Sequence, residues 1–337
     1  MQILQNFSLK NANTFAINVI AEKFAAFDSV EQLQELLHLN GDEQPQMILG
    51  GGSNVLFTDN VKGLVLKNEC HGMDIIKEDS DYVYIKVGAG ENWHQFVLHC
   101  LGENLAGVEN LSLIPGNTGA SPMQNIGAYG VELKDVFHEL EAFHLRGKIV
   151  TCFGLNDCSF GYRDSIFKTH FKNQFAILSV TFKLSKVPVY NTTYGAIEQE
   201  LEKMGVQDLS IQAISQAVIN IRRGKLPDPA LIGNAGSFFK NPEITSSSFS
   251  ELKERFPDII GYLLPNGNVK LAAGWLIEQC GWKGYREGDA GCHWHQALVL
   301  VNYGNASGNE IYELSESILQ SVIKKFGVIL EREVNLL

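Results

Sequence analysis

No run among the 337 residues approaches the roughly 18 consecutive apolar positions of a membrane span. Residues 1–6, Met-Gln-Ile-Leu-Gln-Asn, offer neither the basic start nor the apolar core of a signal peptide. A cytoplasmic protein with no membrane insertion is therefore expected. The six cysteines (Cys70, Cys100, Cys152, Cys158, Cys280 and Cys292) form no Cys-x-x-Cys pair, which argues against a zinc knuckle or a dithiol motif and for buried free thiols. With 27 Lys+Arg against 38 Asp+Glu the formal charge is −11, so a nucleic-acid backbone would be repelled and no nucleic-acid partner is expected. No Walker sequence ending Gly-Lys-Ser/Thr occurs. The nearest approach to a Rossmann fingerprint, Gly88-Ala89-Gly90-Glu91-Asn92-Trp93, lacks its third glycine. Neither common nucleotide fold is expected. His293 and His295 lie two apart with no third ligand at an obvious spacing, so no metal site is expected.

What the chain does have is glycine in two telling places. Residues 115–130 hold four glycines and two prolines, with few side chains that could anchor a core. Upstream, Gly50-Gly51-Gly52-Ser53-Asn54 lies between the apolar runs Met47-Ile48-Leu49 and Val55-Leu56-Phe57. Glycine lets backbone approach a ligand closely, and runs of small residues turn N–H groups toward anions. Either loop alone could be a tight turn. Two on a strand scaffold suggest a cofactor carrying a pyrophosphate.

The remaining pattern is that of a mixed globular chain, 45% hydrophobic and 19% charged, without internal repeats. Period-two alternation predicts a strand at 82–87, followed by a helix capped by Asn92 and stopped at Gly102. A hairpin over 139–151 turning at Arg146-Gly147-Lys148 and a strand over 175–184 follow. After Pro188 helical periodicity takes over, at 213–223 and 271–280, with Ser246-Ser247-Ser248 between. Ser307 and Glu310 form a capping box for a helix ending at Gly327, and a final strand is expected over 328–334. A domain boundary is placed near residues 186–190.

Further motifs then fall into an order: Tyr162-Arg163-Asp164-Ser165, residues 233–242 (Gly-Asn-Ala-Gly-Ser-Phe-Phe-Lys-Asn-Pro), Ala273-Gly274-Trp275-Leu276-Ile277, and Leu330-Glu331-Arg332-Glu333-Val334. With the two glycine loops, this series resembles the UDP-N-acetylenolpyruvoylglucosamine reductase (MurB) family, in its longer class with a tyrosine-bearing loop. The resemblance implies an α+β fold: an FAD-binding region of the vanillyl-alcohol-oxidase type in two lobes, 1–68 and 69–188. A C-terminal α+β substrate domain follows at 189–327, and 328–337 carries a catalytic glutamate.

It further implies non-covalent FAD, NADPH as hydride donor, and a UDP-sugar substrate whose enolpyruvyl ether becomes a lactyl ether, in a monomeric enzyme of peptidoglycan synthesis. The cofactor would lie on Gly50, Gly51, Gly52, Ser53 and Asn54. The second loop would add Gly116, Ser121, Gln124, Asn125, Gly127, Ala128, Tyr129 and Gly130. By the same resemblance Arg163 polarises the substrate carboxylate, Ser237 donates a proton and Glu333 assists. Tyr194, Lys225, Asn241 and Gln296 would hold the sugar nucleotide.

Read without the family, Ser237 is a turn serine and Arg163 a partner for Asp164. Glu331 and Glu333 share one face of an alternating stretch, so the residues alone do not choose between them. His71 could be imagined as a covalent flavin anchor, but a plain loop histidine is the expectation. A flavin-dependent alcohol oxidase of the same fold is the alternative, and it leaves Arg163, Ser237, Lys225 and Glu333 without a shared task. A non-catalytic flavin- or sugar-nucleotide-binding regulator leaves the same set idle.

Overall fold

The computed structural model describes residues 2–41 and 47–337. Contacts divide the chain into two compact units of interleaved sequence. Residues 1–7, 21–51 and 61–224 form the first, and 8–20, 52–60 and 225–337 the second.

The first unit is built on two sheets. One runs in the order Leu4–Ser8, Ile20–Phe27, Val61–Asn68, Met47–Leu49, and Val61–Asn68 is parallel to both Ile20–Phe27 and Met47–Leu49. Between its strands the helix Val30–Leu39 is capped by Ser29, whose side chain accepts from the Gln32 N–H. Its buried Leu33, Leu36 and Leu37 share one face and pack with Phe27, Leu66, Phe143 and Leu178.

The other sheet is antiparallel, in the order Ile149–Gly154, Phe137–His144, Phe175–Ser185, Tyr82–Gly88, Met73–Glu78. The expected strands are present here, and the expected hairpin closes with His144 opposite Ile149. Its central strand Phe175–Ser185 is buried along most of its length, as its nearly continuous apolar sequence requires. The helix Trp93–Gly102 is capped by Asn92 and buries Trp93, Phe96, Val97 and Cys100 with Phe182.

The segment 189–224, expected with the C-terminal part, clusters with the first unit. The helix Ile211–Lys225 buries Ile214, Ala217, Val218 and Ile221 with Ile197 and Leu201. Ser215 meets Ser112, hydroxyl to hydroxyl at 2.7 Å, and Gln212 donates to the Leu101 carbonyl at 2.9 Å.

The second unit has a four-stranded sheet ordered Gly233–Ser237, Val299–Asn302, Ala290–Cys292, Arg286–Glu287, and a three-stranded one ordered Glu243–Ile244, Val269–Leu271, Gly261–Leu263. The serine-rich segment opens a helix, Ser246–Arg255, because Thr245 caps it by accepting from the Ser248 N–H. Of the stretch 271–280, residues Ala273–Gln279 are helical. The capping box at Ser307 and Glu310 forms as read, and the helix Gly308–Phe326 ends at Gly327 in the left-handed region (φ 70°).

The strand expected over 328–334 is not there. Leu330 and Val334 are buried and Glu331 exposed, so the alternation is real. Backbone pairing is limited to an isolated bridge between Arg332 and Phe239, too short for a ladder, and the strand lies at Asn335–Leu336, parallel to Val55–Leu56. Among the described residues no helix is long and apolar enough to cross a membrane.

Candidate active site

In the first unit, loop 115–130 is fastened at both ends. The Gly116 carbonyl accepts from Trp93 N–H at 3.0 Å, Thr118 N–H donates to the Glu91 carbonyl at 2.8 Å, and the Asn117 amide donates to the Gly90 carbonyl at 2.8 Å. Gly51 faces this turn closely: a Cβ there would lie 2.7 Å from Asn117 Oδ1 and 3.1 Å from Gly116 Cα. The two glycine segments thus meet within the unit, and a side chain at Gly51 would force Asn117 and the Gly116 backbone to give way. Ser121 is buried and donates to the Thr118 carbonyl at 2.6 Å. The Thr118 hydroxyl, also buried, has no partner among the described residues.

Arg163 is held against the far end of the same loop by three bonds. Its Nη2 donates to the Gly127 carbonyl at 2.6 Å, the Ser165 hydroxyl donates to the Met123 carbonyl at 2.7 Å, and the Asn125 amide donates to the Gly161 carbonyl at 3.0 Å. Asn125 is fully buried. It also donates to Glu132 and accepts from Lys134 N–H, so its side chain joins the loop to the arginine turn. A Cβ at Gly127 would come 2.9 Å from Arg163 Nη1. Leu113, Asn125, Tyr129 and Arg163 all have positive φ, between 44° and 59°, a conformation that costs a non-glycine residue about 1–2 kcal/mol. Strain of this kind persists where surrounding bonds overdetermine the backbone, as they do here.

The motifs point to Lys225, which ends its helix exposed, and not to Arg222 one turn earlier. Arg222 Nε donates to the Leu113 carbonyl at 3.3 Å. Burial draws its guanidinium below the usual arginine range, opposed by Tyr129 and reinforced by repulsion from Arg163. Burial in turn pushes the Tyr129 phenol up, with Arg222 opposing. A signal existed: Ile214, Val218 and Arg222 recur every four residues, so a charge sits on the apolar stripe. Tyr194 also belongs to this unit and is 59% exposed.

The second unit brings Ser237, Glu333 and Asn54 together. The strand Gly233–Ser237 breaks register between Asn234 and Ser237, where Gly236 turns left-handed (φ 72°) and its N–H donates to Asn234 Oδ1 at 2.9 Å. Ser237 therefore ends a strand after a bulge instead of lying in a free turn. The next residue, Phe238, accepts from Glu333 N–H at 2.9 Å, and Asn54 Nδ2 donates to the Glu333 carbonyl at 3.2 Å. Glu331 is drawn off by an ion pair with Lys240. Gly52 is seated in the same unit, where a Cβ would lie 2.0 Å from the Ala12 carbonyl oxygen.

Asn241 and Gln296 meet at the start of the helix Ala273–Gln279. Asn241 Oδ1 accepts from Ala273 N–H at 3.0 Å, and Gln296 Oε1 lies 2.9 Å from where a Gly274 Cβ would be. Cys70, Cys100, Cys158 and Cys292 are buried while Cys152 is exposed, and burial pushes the Cys158 and Cys292 thiols up to about 12, which disfavours their reactive thiolate form.

Residues 21–152 match a family model described as FAD binding domain, and residues 228–337 match UDP-N-acetylenolpyruvoylglucosamine reductase, C-terminal domain. The UDP-N-acetylenolpyruvoylglucosamine reductases of Flavobacterium johnsoniae and Amoebophilus asiaticus are 49% and 47% identical to the chain, in each case over all of both sequences. The crystal structure of the same reductase (MurB) from Thermus caldophilus shares the fold, with a TM-score of 0.71 over 100% of this chain and 99% of that one at 24% identity. The chain belongs to the UDP-N-acetylenolpyruvoylglucosamine reductase family of FAD-dependent oxidoreductases.

Proposed function

We propose that the chain uses non-covalently bound FAD and NADPH to reduce the enolpyruvyl ether of UDP-N-acetylenolpyruvoylglucosamine to the lactyl ether of UDP-N-acetylmuramate. We place the work in the cytoplasm and in a single copy of the chain. The first unit suits the cofactor: Gly51 closes on Gly116 and Asn117, where a Cβ would crowd both, and the buried Thr118 hydroxyl has no partner among the described residues. FAD, when bound, supplies the hydride chemistry.

Addition of hydride to the terminal methylene leaves negative charge on the neighbouring carbon, spread into its carboxylate. Stabilising that charge is the main electrostatic task of the protein. We assign it to Arg163, whose planar fork matches the two oxygens of a carboxylate and is given one orientation by its bond to Gly127. We assign the protonation of the carbon to Ser237. An alkoxide is a weaker base than a carbanion, so the transfer runs downhill if a cation and a hydrogen-bonding partner steady the oxygen. Lys225 and Glu333 are those partners in this reading. The observation that carries it is the Glu333 N–H on the Phe238 carbonyl, beside Ser237, while Glu331 is bound to Lys240. Asn241, Gln296 and Tyr194 are assigned to the sugar nucleotide.

The test is Ser237→Ala. The variant should retain the visible flavin spectrum and be bleached by NADPH, while turnover falls roughly 10³-fold, the scale of a lost general acid. Unimpaired turnover would remove serine from the proton step.

A further inference from the structure

Asn110 lies outside the sequence motifs, yet the residue is only 1% exposed and its side chain touches two segments far apart in sequence. Its Nδ2 donates to the Tyr129 carbonyl at 2.9 Å and to the Asn191 carbonyl at 2.8 Å. Two carbonyls can be met only by the NH₂ end of the amide, so the orientation is fixed by chemistry. The cost is visible too, because Asn110 Oδ1 is buried with no hydrogen-bond partner among the described residues. An amide that leaves its own oxygen unmet is kept for its donors.

The turn that carries Asn110 is anchored on several sides. Trp93 Nε1 donates to the Leu111 carbonyl at 2.9 Å, Ser112 meets Ser215 at 2.7 Å, and Glu109 accepts from Gly107 N–H at 2.7 Å. Across the seam the segments interlock. Asn191 Nδ2 donates to the Gly130 carbonyl at 3.2 Å, and a Cβ on Gly130 would lie 3.2 Å from Tyr194 Cβ. A Cβ on the left-handed Gly195 would lie 3.4 Å from the Tyr129 ring. The backbone of Tyr194 is therefore seated on the flavin loop while its phenol stays exposed.

We propose that Asn110 is a positioning residue for the reduction, binding the tyrosine-bearing segment to the flavin loop so that Tyr194 is presented to the sugar nucleotide. The inference rests on the assignment of Tyr194 to that substrate. Asn110 touches no reacting atom, and it acts by fixing the register between residues 129–130 and 191–195.

The experiment uses the FAD-loaded enzyme and five proteins besides the wild type: Asn110→Leu, Asn191→Ala, Tyr194→Ala and the Asn110→Leu/Tyr194→Ala and Asn191→Ala/Tyr194→Ala double variants. In Asn110→Leu, KM for the UDP-sugar should rise about tenfold, while flavin reduction by NADPH without the sugar nucleotide stays within about twofold. Asn191→Ala, which removes only the bond to Gly130, should raise KM about threefold. In the double variant Asn110→Leu should add nothing to the effect of Tyr194→Ala. Effects that multiply, or a KM raised by Tyr194→Ala but untouched by Asn110→Leu and Asn191→Ala, overturn the inference alone. An unchanged KM in Tyr194→Ala removes the assignment of Tyr194 and the inference with it. Should Asn110→Leu yield no yellow holoenzyme, Asn191→Ala decides by the same criteria, alone and combined with Tyr194→Ala.

Discussion

Within the first unit Arg163 sits on a left-handed turn and is fastened by side chains reaching across to carbonyls at Met123, Gly127 and Gly161. Within the second, Ser237 and Glu333 are set mainly by backbone pairing, through Val299 and the Phe238 carbonyl, with the Asn54 and Asn234 amides adding one side-chain bond each. The difference has a consequence for mutation. Geometry written in side chains is lost when a supporting side chain is cut, even one that touches no ligand. Geometry written mainly in backbone is less exposed to such cuts, and there the reacting side chain itself is the most sensitive.

The largest expected effect tests the second half of that contrast. Glu333→Gln should lower kcat roughly 10²–10³-fold with the flavin retained, as for removal of a group acting in proton transfer. Glu331→Gln, two residues away, should stay within about twofold, because an exposed pair such as Glu331–Lys240 contributes at most about 1 kcal/mol. Equal losses in stopped assays of both variants would erase the distinction drawn from Lys240.

Asn125→Ala probes the side-chain-built region. It leaves the part-buried Gly161 carbonyl and Lys134 N–H without their partner, at a cost of roughly 1–2 kcal/mol, below the full penalty for unmet buried groups. Thermal unfolding should show the loss, and turnover should fall as Arg163 loosens. A variant as stable and active as the parent would mean that the arginine turn stands without the loop.

The smallest effect concerns pH. Burial raises the Glu109 carboxyl above its ordinary 4.5. As pH climbs past that ordinary value the unfolded chain releases its proton first, so the native state loses stability until the raised value is passed. Glu109→Gln keeps an oxygen for the Gly107 N–H and removes the titration. Its melting temperature should decline less with rising pH than the wild type's, and parallel curves would contradict the buried-acid account.

Period-two and 3.6-residue patterns made the antiparallel strands, the Asn92 cap and the Ser307 capping box legible, because each is decided by neighbours in sequence. Alternation at 330–334 gave burial correctly but not a ladder, since a ladder also needs a partner of matching length. The helix Ser246–Arg255 was hidden by three serines of modest helix propensity and depends on the Thr245 cap. Among the site residues, glycine marked the loops and motif order marked Arg163, Ser237 and Glu333. Asn110 carries no mark and Arg222 only its place on an apolar stripe, because their partners at Tyr129, Asn191 and Leu113 are distant in sequence.

The parallel pairing of Asn335–Leu336 with Val55–Leu56 has a bearing on how the protein comes to be made. As the chain leaves the ribosome, residues 52–60 emerge early and wait for a partner nearly 280 positions downstream. The continuous stretch 61–224 can collapse meanwhile on its own contacts. The half that carries Ser237 and Glu333 can be completed only once residues 225–337 have emerged.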